Sequence, residues 1–391
     1  MRKVKVLEVL ESSAGGAGRH VSDLLLGLNL GRFETWFAFA TGRADTLFLK
    51  ELDAIKARGI RTVEVPMTRD ISLNADARAF WLLYRLILRE QFDVVHGHSS
   101  KAGFLGRVAT KLASRRCKTV FTPHGIAVNI HSRYLWLEKL AGAFTDAMVA
   151  VSESEREQLA GYGLVPPDRI VTIYNGIRIL KTETPSGAVR QRFNIPANAI
   201  VVGTCGRVAP AKDPSTFIHA ATLVLRHNPN CFFLWIGIGE MLGWALAEVE
   251  RLGIADRVRF IGYQSDVAPL LLCMDIFVLT SVYESFGYAT GEAMALGRPV
   301  VGTDIAGTRD LVVRGVTGIL VPPADPAALA VEIARLTVDT ESRLRLGRNG
   351  QSRIFENFNC GDMVSNTEAL YEKLVCSRAP KRISCPIEVS G

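Results

Sequence analysis

The sequence predicts an α/β protein of two Rossmann-like domains, each built on a parallel sheet. Three observations predict it. Short apolar runs of strand length alternate with helical stretches along nearly the whole chain, the pattern of parallel βα units. The alternation comes in two sets, one running to Val151 and the other starting at Ile200. Between them, Lys181 to Asn198 carries Pro185, Gly187 and Pro196 without a clear period, which reads as a linker. The expected division is a first domain over 1–180, a linker over 181–198, a second domain over 199–358, a C-terminal helix over 359–376 and a loose tail over 377–391.

In the first set, Val4–Val9, Trp36–Ala40, Thr62–Val65, Asp93–His96, Thr119–Phe121 and Ala147–Val151 read as strands. A glycine-rich turn and an apolar helix through Val21, Leu24, Leu25 and Leu28 follow the first strand. Asp45–Arg58 and Leu73–Glu90 read as helices. In the second set the strands are Ile200–Gly203, Phe232–Ile236, Val258–Ile261, Ile276–Leu279, Val300–Val301 and Gly318–Val321. Leu329–Arg335, Arg343–Phe355 and Met363–Val375 read as late helices.

Composition narrows the class. The 391 residues are 48% hydrophobic and 22% charged, enough for two packed cores. No apolar run reaches the ~18–20 residues that span a bilayer, and the charged start Met1–Glu8 reads as a strand rather than a signal peptide. Seven scattered cysteines without a Cys-x-x-Cys pair suit a reducing cytoplasm and point away from zinc or a disulfide framework. The net charge of +7 lies in residues 1–178, with 25 basic and 18 acidic side chains, so an anionic partner is expected there. From Val94 to Leu137 there is no acid, and Lys101, Arg107, Lys111, Arg115, Arg116 and Lys118 interleave with apolar residues. Residues 101–118 therefore read as a basic amphipathic helix suited to an anionic membrane surface. No nucleic-acid motif accompanies the charge, and no nucleic-acid partner is expected.

The most informative stretch runs from Tyr283 to Val301. A glycine-bearing turn, Ser285-Phe286-Gly287-Tyr288, separates the strand Ile276–Leu279 from a helix that stops at Gly297 with Pro299 beyond. Free backbone N–H groups at such a helix start favour an anion. Glu284 precedes the turn and Glu292 lies about a turn and a half into the helix, roughly 10–12 Å along the chain. That spacing fits the two ends of a sugar nucleotide, the sugar at Glu284 and the ribose at Glu292. Arg207 and Lys212, five apart after the strand Ile200–Gly203, can converge on one diphosphate, where cations stabilise a leaving nucleotide. Gly15-Gly16-Ala17-Gly18 permits close backbone approach to phosphate, but no acid near Ala40–Arg43 supplies the ribose contact a nicotinamide fold needs. His98, in His96-Gly97-His98-Ser99-Ser100-Lys101, and His124, in Thr122-Pro123-His124-Gly125, sit at strand ends, where open α/β sheets hold ligands.

The segment from Glu284 to Val301, reading Glu-Ser-Phe-Gly, four residues, then Glu-Ala-Met-Ala-Leu-Gly-Arg-Pro-Val-Val, resembles the Glu-x7-Glu signature of retaining glycosyltransferases of family 4. It departs from the usual aliphatic filling at Tyr288-Ala289-Thr290-Gly291. Gly206-Arg207 with Lys212-Asp213, Gly237-Ile238-Gly239-Glu240 and Tyr174-Asn175-Gly176 resemble further segments of that family. Asp310 stands where the family usually has Glu, and no role follows for it. The resemblance implies a GT-B fold, with two facing Rossmann-like domains, and transfer of a hexosyl group from a nucleotide-diphospho-sugar with no metal and no cofactor. Glu284 and His124 are then the catalytic-site side chains. Arg207, Lys212, Glu292, Ser285, Phe286, Gly287, Tyr288 and Gly239 bind the donor, and Gly16, Gly18 and His98 serve the acceptor. The implied acceptor is a saccharide, either as such or linked to polyprenyl diphosphate, in bacterial surface polysaccharide assembly, and the expected location is the cytoplasm, with the inner face of the cell membrane as the alternative. The rivals are a GT-B epimerase or phosphorylase, a nicotinamide-dependent oxidoreductase and a non-catalytic sugar-nucleotide-binding partner.

Overall fold

The structure, a computed structural model, describes residues 2–125 and 132–377. Residues 378–391, nearly all of the expected tail, lie outside it. The chain forms two compact units, one of Met1–Gly176 with the segment from Cys360 onward, the other of Ile177–Asn359.

The first unit is built on a seven-stranded sheet, β1 (Val4–Leu10), β2 (Phe33–Phe39), β3 (Arg61–Glu64), β4 (Val94–His98), β5 (Lys118–Thr122), β6 (Ala147–Ala150) and β7 (Ile170–Thr172). The spatial order is β3-β2-β1-β4-β5-β6-β7 and every pairing is parallel. The helices Gly16–Gly27 and Cys360–Cys376 cover one face, with Val6, Leu10, Leu24, Met363 and Tyr371 in a shared core. The helices Leu73–Glu90 and Ser100–Ala113 cover the other, against Leu7, Val9, Val95 and Ala109. Burial on both faces explains why the strands read as continuous apolar runs.

The second unit carries six parallel strands, β8 (Ile200–Cys205), β9 (Cys231–Ile236), β10 (Val258–Phe260), β11 (Ile276–Leu279), β12 (Val300–Thr303) and β13 (Ile319–Val321), in the order β10-β9-β8-β11-β12-β13. Phe233, Trp235, Val278 and Val301 form its core with Phe217, Val249 and Ile333 from the covering helices. In each sheet the strand order reverses beside the first strand, between β1 and β4 and between β8 and β11. Loops leaving the carboxyl ends of those strands diverge there and leave a crevice, the usual ligand position in such sheets.

Three expectations need correction. Residues 181–198 contain the helix Ser186–Arg192 and belong to the second unit; Pro185 stands at the N-cap position of that helix rather than breaking structure. Strand β7, three residues long, was too short to register as an apolar run. The stretch 101–118 is not a free basic face. Arg107 is buried, bonded to Glu138 at 2.5 Å, Lys101 is bound to Asp76 at 2.7 Å and Lys118 to Asp146 at 2.7 Å. Its acids come from distant sequence, so the run looked unneutralised only in one dimension.

Candidate functional site

In the second unit the site residues come from the loops after β8 and β11, the two strands at the switch. Trp235 on β9 is buried in the core, and its indole N–H donates to the Gly206 carbonyl at 2.9 Å, which pins the loop carrying Arg207. Arg207 is exposed and lies 3.8 Å from Glu240. Lys212 closes the short 3-10 turn Pro210–Lys212, and Asp213, in a left-handed conformation at φ 47°, caps the following helix by accepting from the Thr216 N–H at 3.0 Å. The loop carrying Lys212 is tied to the other loop three ways. The Lys212 ammonium donates to the Glu284 carboxylate, the Lys212 carbonyl accepts from the Thr280 hydroxyl at 2.7 Å, and the neighbouring Ala211 carbonyl accepts from the Val282 N–H at 3.0 Å. The same Glu284 oxygen accepts from the Ser281 hydroxyl at 2.8 Å.

The turn after Glu284 is sterically exact. Gly287 takes φ 89° and starts the helix Tyr288–Ala295, on which Glu292 is buried. A side chain there would be strained in this left-handed region. Gly307, at the start of the helix Ala306–Leu311, comes so close that an added Cβ would lie 2.5 Å from the Glu284 carbonyl oxygen. Gly239 makes a similar approach, 2.2 Å from the Val208 carbonyl oxygen. The sequence reading found Gly239 but missed Gly307, Ser281 and Thr280; a glycine among Asp304–Asp310 was the available signal for the first. Arg207, Lys212, Glu284 and the Ser285–Tyr288 turn thus share the carboxyl edge of one switch point, two cations and a helix start beside a carboxylate.

In the first unit the carboxyl edge carries a hydrogen-bonded ladder of imidazoles. Register aligns Glu8 with His96 and His98 with Thr122 across β1, β4 and β5. Glu8 Oε2 lies 2.8 Å from His98 Nε2, and His98 Nδ1 lies 3.1 Å from His124 Nε2. Tyr371 donates to Glu8 at 2.6 Å, and His96 bridges Tyr371 and Thr122 at 2.6 and 2.7 Å. His20 is held by Asn175 Oδ1 at 2.7 Å, with its ring edge-on to His124. Burial pushes the Glu8 carboxyl up to about 8, against the opposing Tyr371 hydrogen bond. Burial pulls His20 and His98 down to about 3, with the His98 ring adding to the depression of His20, and holds His96 and His124 well below the usual imidazole range. A protonated Glu8 donates to His98 Nε2, and the His98 proton then stands on Nδ1, facing His124. Glu8 was missed because a carboxylate inside the strand Val4–Leu10 read as incidental, although a charge in a central strand was itself a signal. His124 adopts φ 57°, an uncommon conformation for a residue with a side chain. It is half-buried, whereas Glu8, His20, His96 and His98 are buried.

Gly15, at φ 76°, precedes the helix that begins at Gly16, so the glycine turn is shorter than the sequence suggested. Gly18 lies in the helix, and a Cβ there would stand 2.0 Å from the Ser13 carbonyl oxygen. Among the described residues, the imidazoles of His20, His98 and His124, and the trio Glu8, His96 and His98, are the groups whose ligand atoms lie within 4.8 Å of one another. The contacts above engage each of these side chains in protein hydrogen bonds.

A family model described as Glycosyltransferase Family 4 matches residues 14–179, and one described as Glycosyl transferases group 1 matches residues 186–353. Among curated proteins, the chain is 29% identical over 332 residues to the UDP-Gal:alpha-D-GlcNAc-diphosphoundecaprenol alpha-1,3-galactosyltransferase of Escherichia coli, covering 82% of this chain and 85% of the relative. It is 26% identical over 319 residues to the capsular polysaccharide biosynthesis glycosyltransferase CapM of Staphylococcus aureus, covering 78% and 83%. Among solved structures, Anabaena HepE in complex with UDP and glucose superposes with a TM-score of 0.83 at 22% identity, covering 95% of this chain and 100% of that one. A glycosyltransferase from Rickettsia africae does so at 0.80 and 20%, covering 96% and 99%. The two family models match most of each unit, including the loops that carry His98, His124, Arg207, Lys212 and Glu284, and the chain belongs to the GT-B glycosyltransferases of family 4, the glycosyl transferases group 1.

Proposed function

We propose that the chain transfers a hexosyl group from a UDP-sugar to a saccharide carried on polyprenyl diphosphate, with retention of anomeric configuration and without a metal ion. The observation that carries the donor reading is the joining of Lys212 to Glu284 across the β8 and β11 loops, with Arg207 on the same edge. Arg207 and Lys212 take the diphosphate. Ser285, Phe286, Gly287 and Tyr288 present the turn and helix start to it, and Gly239 lets the chain approach closely. Glu292 accepts from the ribose hydroxyls, and Glu284 orients the sugar. As the glycosidic bond breaks, negative charge grows on the leaving UDP, and the two cations with the helix start stabilise it. The acceptor hydroxyl attacks from the face that the diphosphate leaves, and a diphosphate oxygen takes its proton. From the first unit, Gly16, Gly18 and His98 serve the acceptor, and His124 supplies a neutral imidazole whose orientation His98 fixes.

The choice of acceptor is supported by the name of the Escherichia coli relative, and the choice of UDP by that name and by the ligands of the HepE structures. Capsular polysaccharide biosynthesis is the setting that the name of the Staphylococcus aureus relative gives. The test is transfer from radiolabelled UDP-hexoses to synthetic polyprenyl-diphosphate-linked GlcNAc in EDTA, with the product's anomeric configuration read by proton NMR. An α-linked product from an α-linked donor supports the reading. Hydrolysis or epimerisation alone, or an inverted product, contradicts it.

A further inference from the structure

The helix Leu73–Glu90 buries Ala79, Leu83 and Ile87, a stripe at helical spacing that packs into the core of the first unit. Its opposite face should be polar and is not. Leu73 is 84% exposed, Trp81 56%, Leu88 46% and Leu82 37%, and Ile71 just before the helix is 61% exposed. Arg78, Arg85 and Arg89 alternate with them at spacings of three, four and seven, so aromatic, aliphatic and guanidinium groups form one stripe. Trp81 sits edge-on to Phe80 and Tyr84, with ring centroids 5.6 and 5.5 Å away, which holds the indole at the surface. Between this face and the edge of the sheet runs a groove of about 910 Å³, lined by Trp36, Pro66, Arg78, Trp81, Leu82 and Arg85 among others.

Charge selects the occupant. Arg69, Arg78 and Arg85 have no hydrogen-bonding or ion-pairing partner among the described residues, and Arg89 meets Glu90 only at 3.3 Å. Of the nearby acids, Asp76 is bound to Lys101 and Glu90 to Lys5, which leaves Asp70 as the acid on this face whose carboxylate has no partner among the described residues. A second copy meeting this face about a twofold axis would bring arginines against arginines. A bilayer with anionic headgroups satisfies them while taking up the tryptophan and leucines, the chemistry of an interfacial amphipathic helix. The N-terminal end of the helix follows β3, so Ile71 and Leu73 stand on the carboxyl side of the sheet, the edge that also carries His98 and His124.

We propose that the outer face of the helix Leu73–Glu90, with Ile71 and the flanking arginines, docks on an anionic phospholipid bilayer. The site lies wholly in the first unit and does not depend on the identity of the donor or the acceptor. The experiment is co-sedimentation of the full chain with vesicles of phosphatidylethanolamine containing 30% phosphatidylglycerol, beside vesicles of pure phosphatidylcholine. The wild type binds the anionic vesicles, its tryptophan emission shifts to the blue, and high salt releases it. Arg78→Glu with Arg85→Glu weakens binding about tenfold or more. Trp81→Ala with Leu88→Ala also weakens binding. Lys111→Glu with Arg115→Glu, on the other basic stretch, binds as the wild type does. Thermal melts and UDP-sugar binding that match the wild type keep a loss of docking separate from misfolding. No binding to either vesicle, equal binding to both, full binding by the Arg78/Arg85 variant, or a dimer that protects Trp81 overturns the proposal.

Discussion

Glu8 Oε2 and His98 Nε2 are 2.8 Å apart in a wholly buried pair, with a further imidazole, His124, 3.1 Å beyond. The pair makes stability depend on pH with opposite signs at its two ends. Glu8 titrates at about 8 in the fold against 4.5 unfolded, so the fold holds a proton the unfolded chain has lost, and stability falls as pH rises from about 4.5 to about 8. His20 and His98 titrate at about 3 against 6.5, and His96 and His124 are lowered as well, so their contribution is full above 6.5 and is lost as pH falls below it. The imidazoles outnumber the carboxyl below 6.5, and Glu8 acts against stability from there to 8. Denaturant unfolding should therefore show greatest stability near pH 6.5, with an alkaline limb of at most about 1.4 kcal/mol per pH unit. Glu8→Gln should remove that limb. An unchanged limb would show that the carboxyl does not titrate there.

Lys212→Ala and Glu284→Ala should each leave a folded protein and reduce transfer by about a hundredfold or more, because under the proposed function each removes a group that holds the donor. Steady-state kinetics with circular dichroism of the same samples checks this. Wild-type rates in either soluble variant would remove the pair from the site.

Gly307→Ala tests the support of the turn rather than its chemistry. The new methyl would meet the Glu284 carbonyl oxygen at 2.5 Å, so the backbone must give way just where Glu284 is carried. We expect kcat/KM to fall about tenfold or more, since misplacing a positioned group by an ångström is costly. Retained kinetics would mean that the turn tolerates the shift.

Arg107→Ala should lower the stability of the first unit by about 3–5 kcal/mol, because it leaves the Glu138 carboxylate without its buried cation. Arg107 also stacks over Phe121, 3.9 Å from the ring centroid, and packing is lost with the charge. A melting temperature unchanged from the wild type would contradict the pairing.

Much of this was legible one-dimensionally. The helix Leu73–Glu90 was readable to the residue, because its long run is unbroken by glycine or proline; Gln91 ends it in a left-handed turn. Arg207, Lys212, Glu284 and Glu292 were readable because two strand–loop–helix units carry them at short spacing. What escaped depends on contacts between distant residues. The basic run 101–118 looked exposed because Asp76, Glu138 and Asp146, which hold Lys101, Arg107 and Lys118, are brought in by the fold. The outer face of Leu73–Glu90 looked unremarkable because its leucines could not be divided between core and surface before the sheet was placed. Glu8 became meaningful only when β4 set His98 beside it.

The most direct test of the donor site is a calorimetric titration of UDP into the wild type and into Lys212→Ala, both in EDTA. The account predicts binding by the wild type without metal, and an affinity about tenfold or more lower in the variant. Binding that requires a divalent cation, or equal affinity in the two proteins, would contradict it.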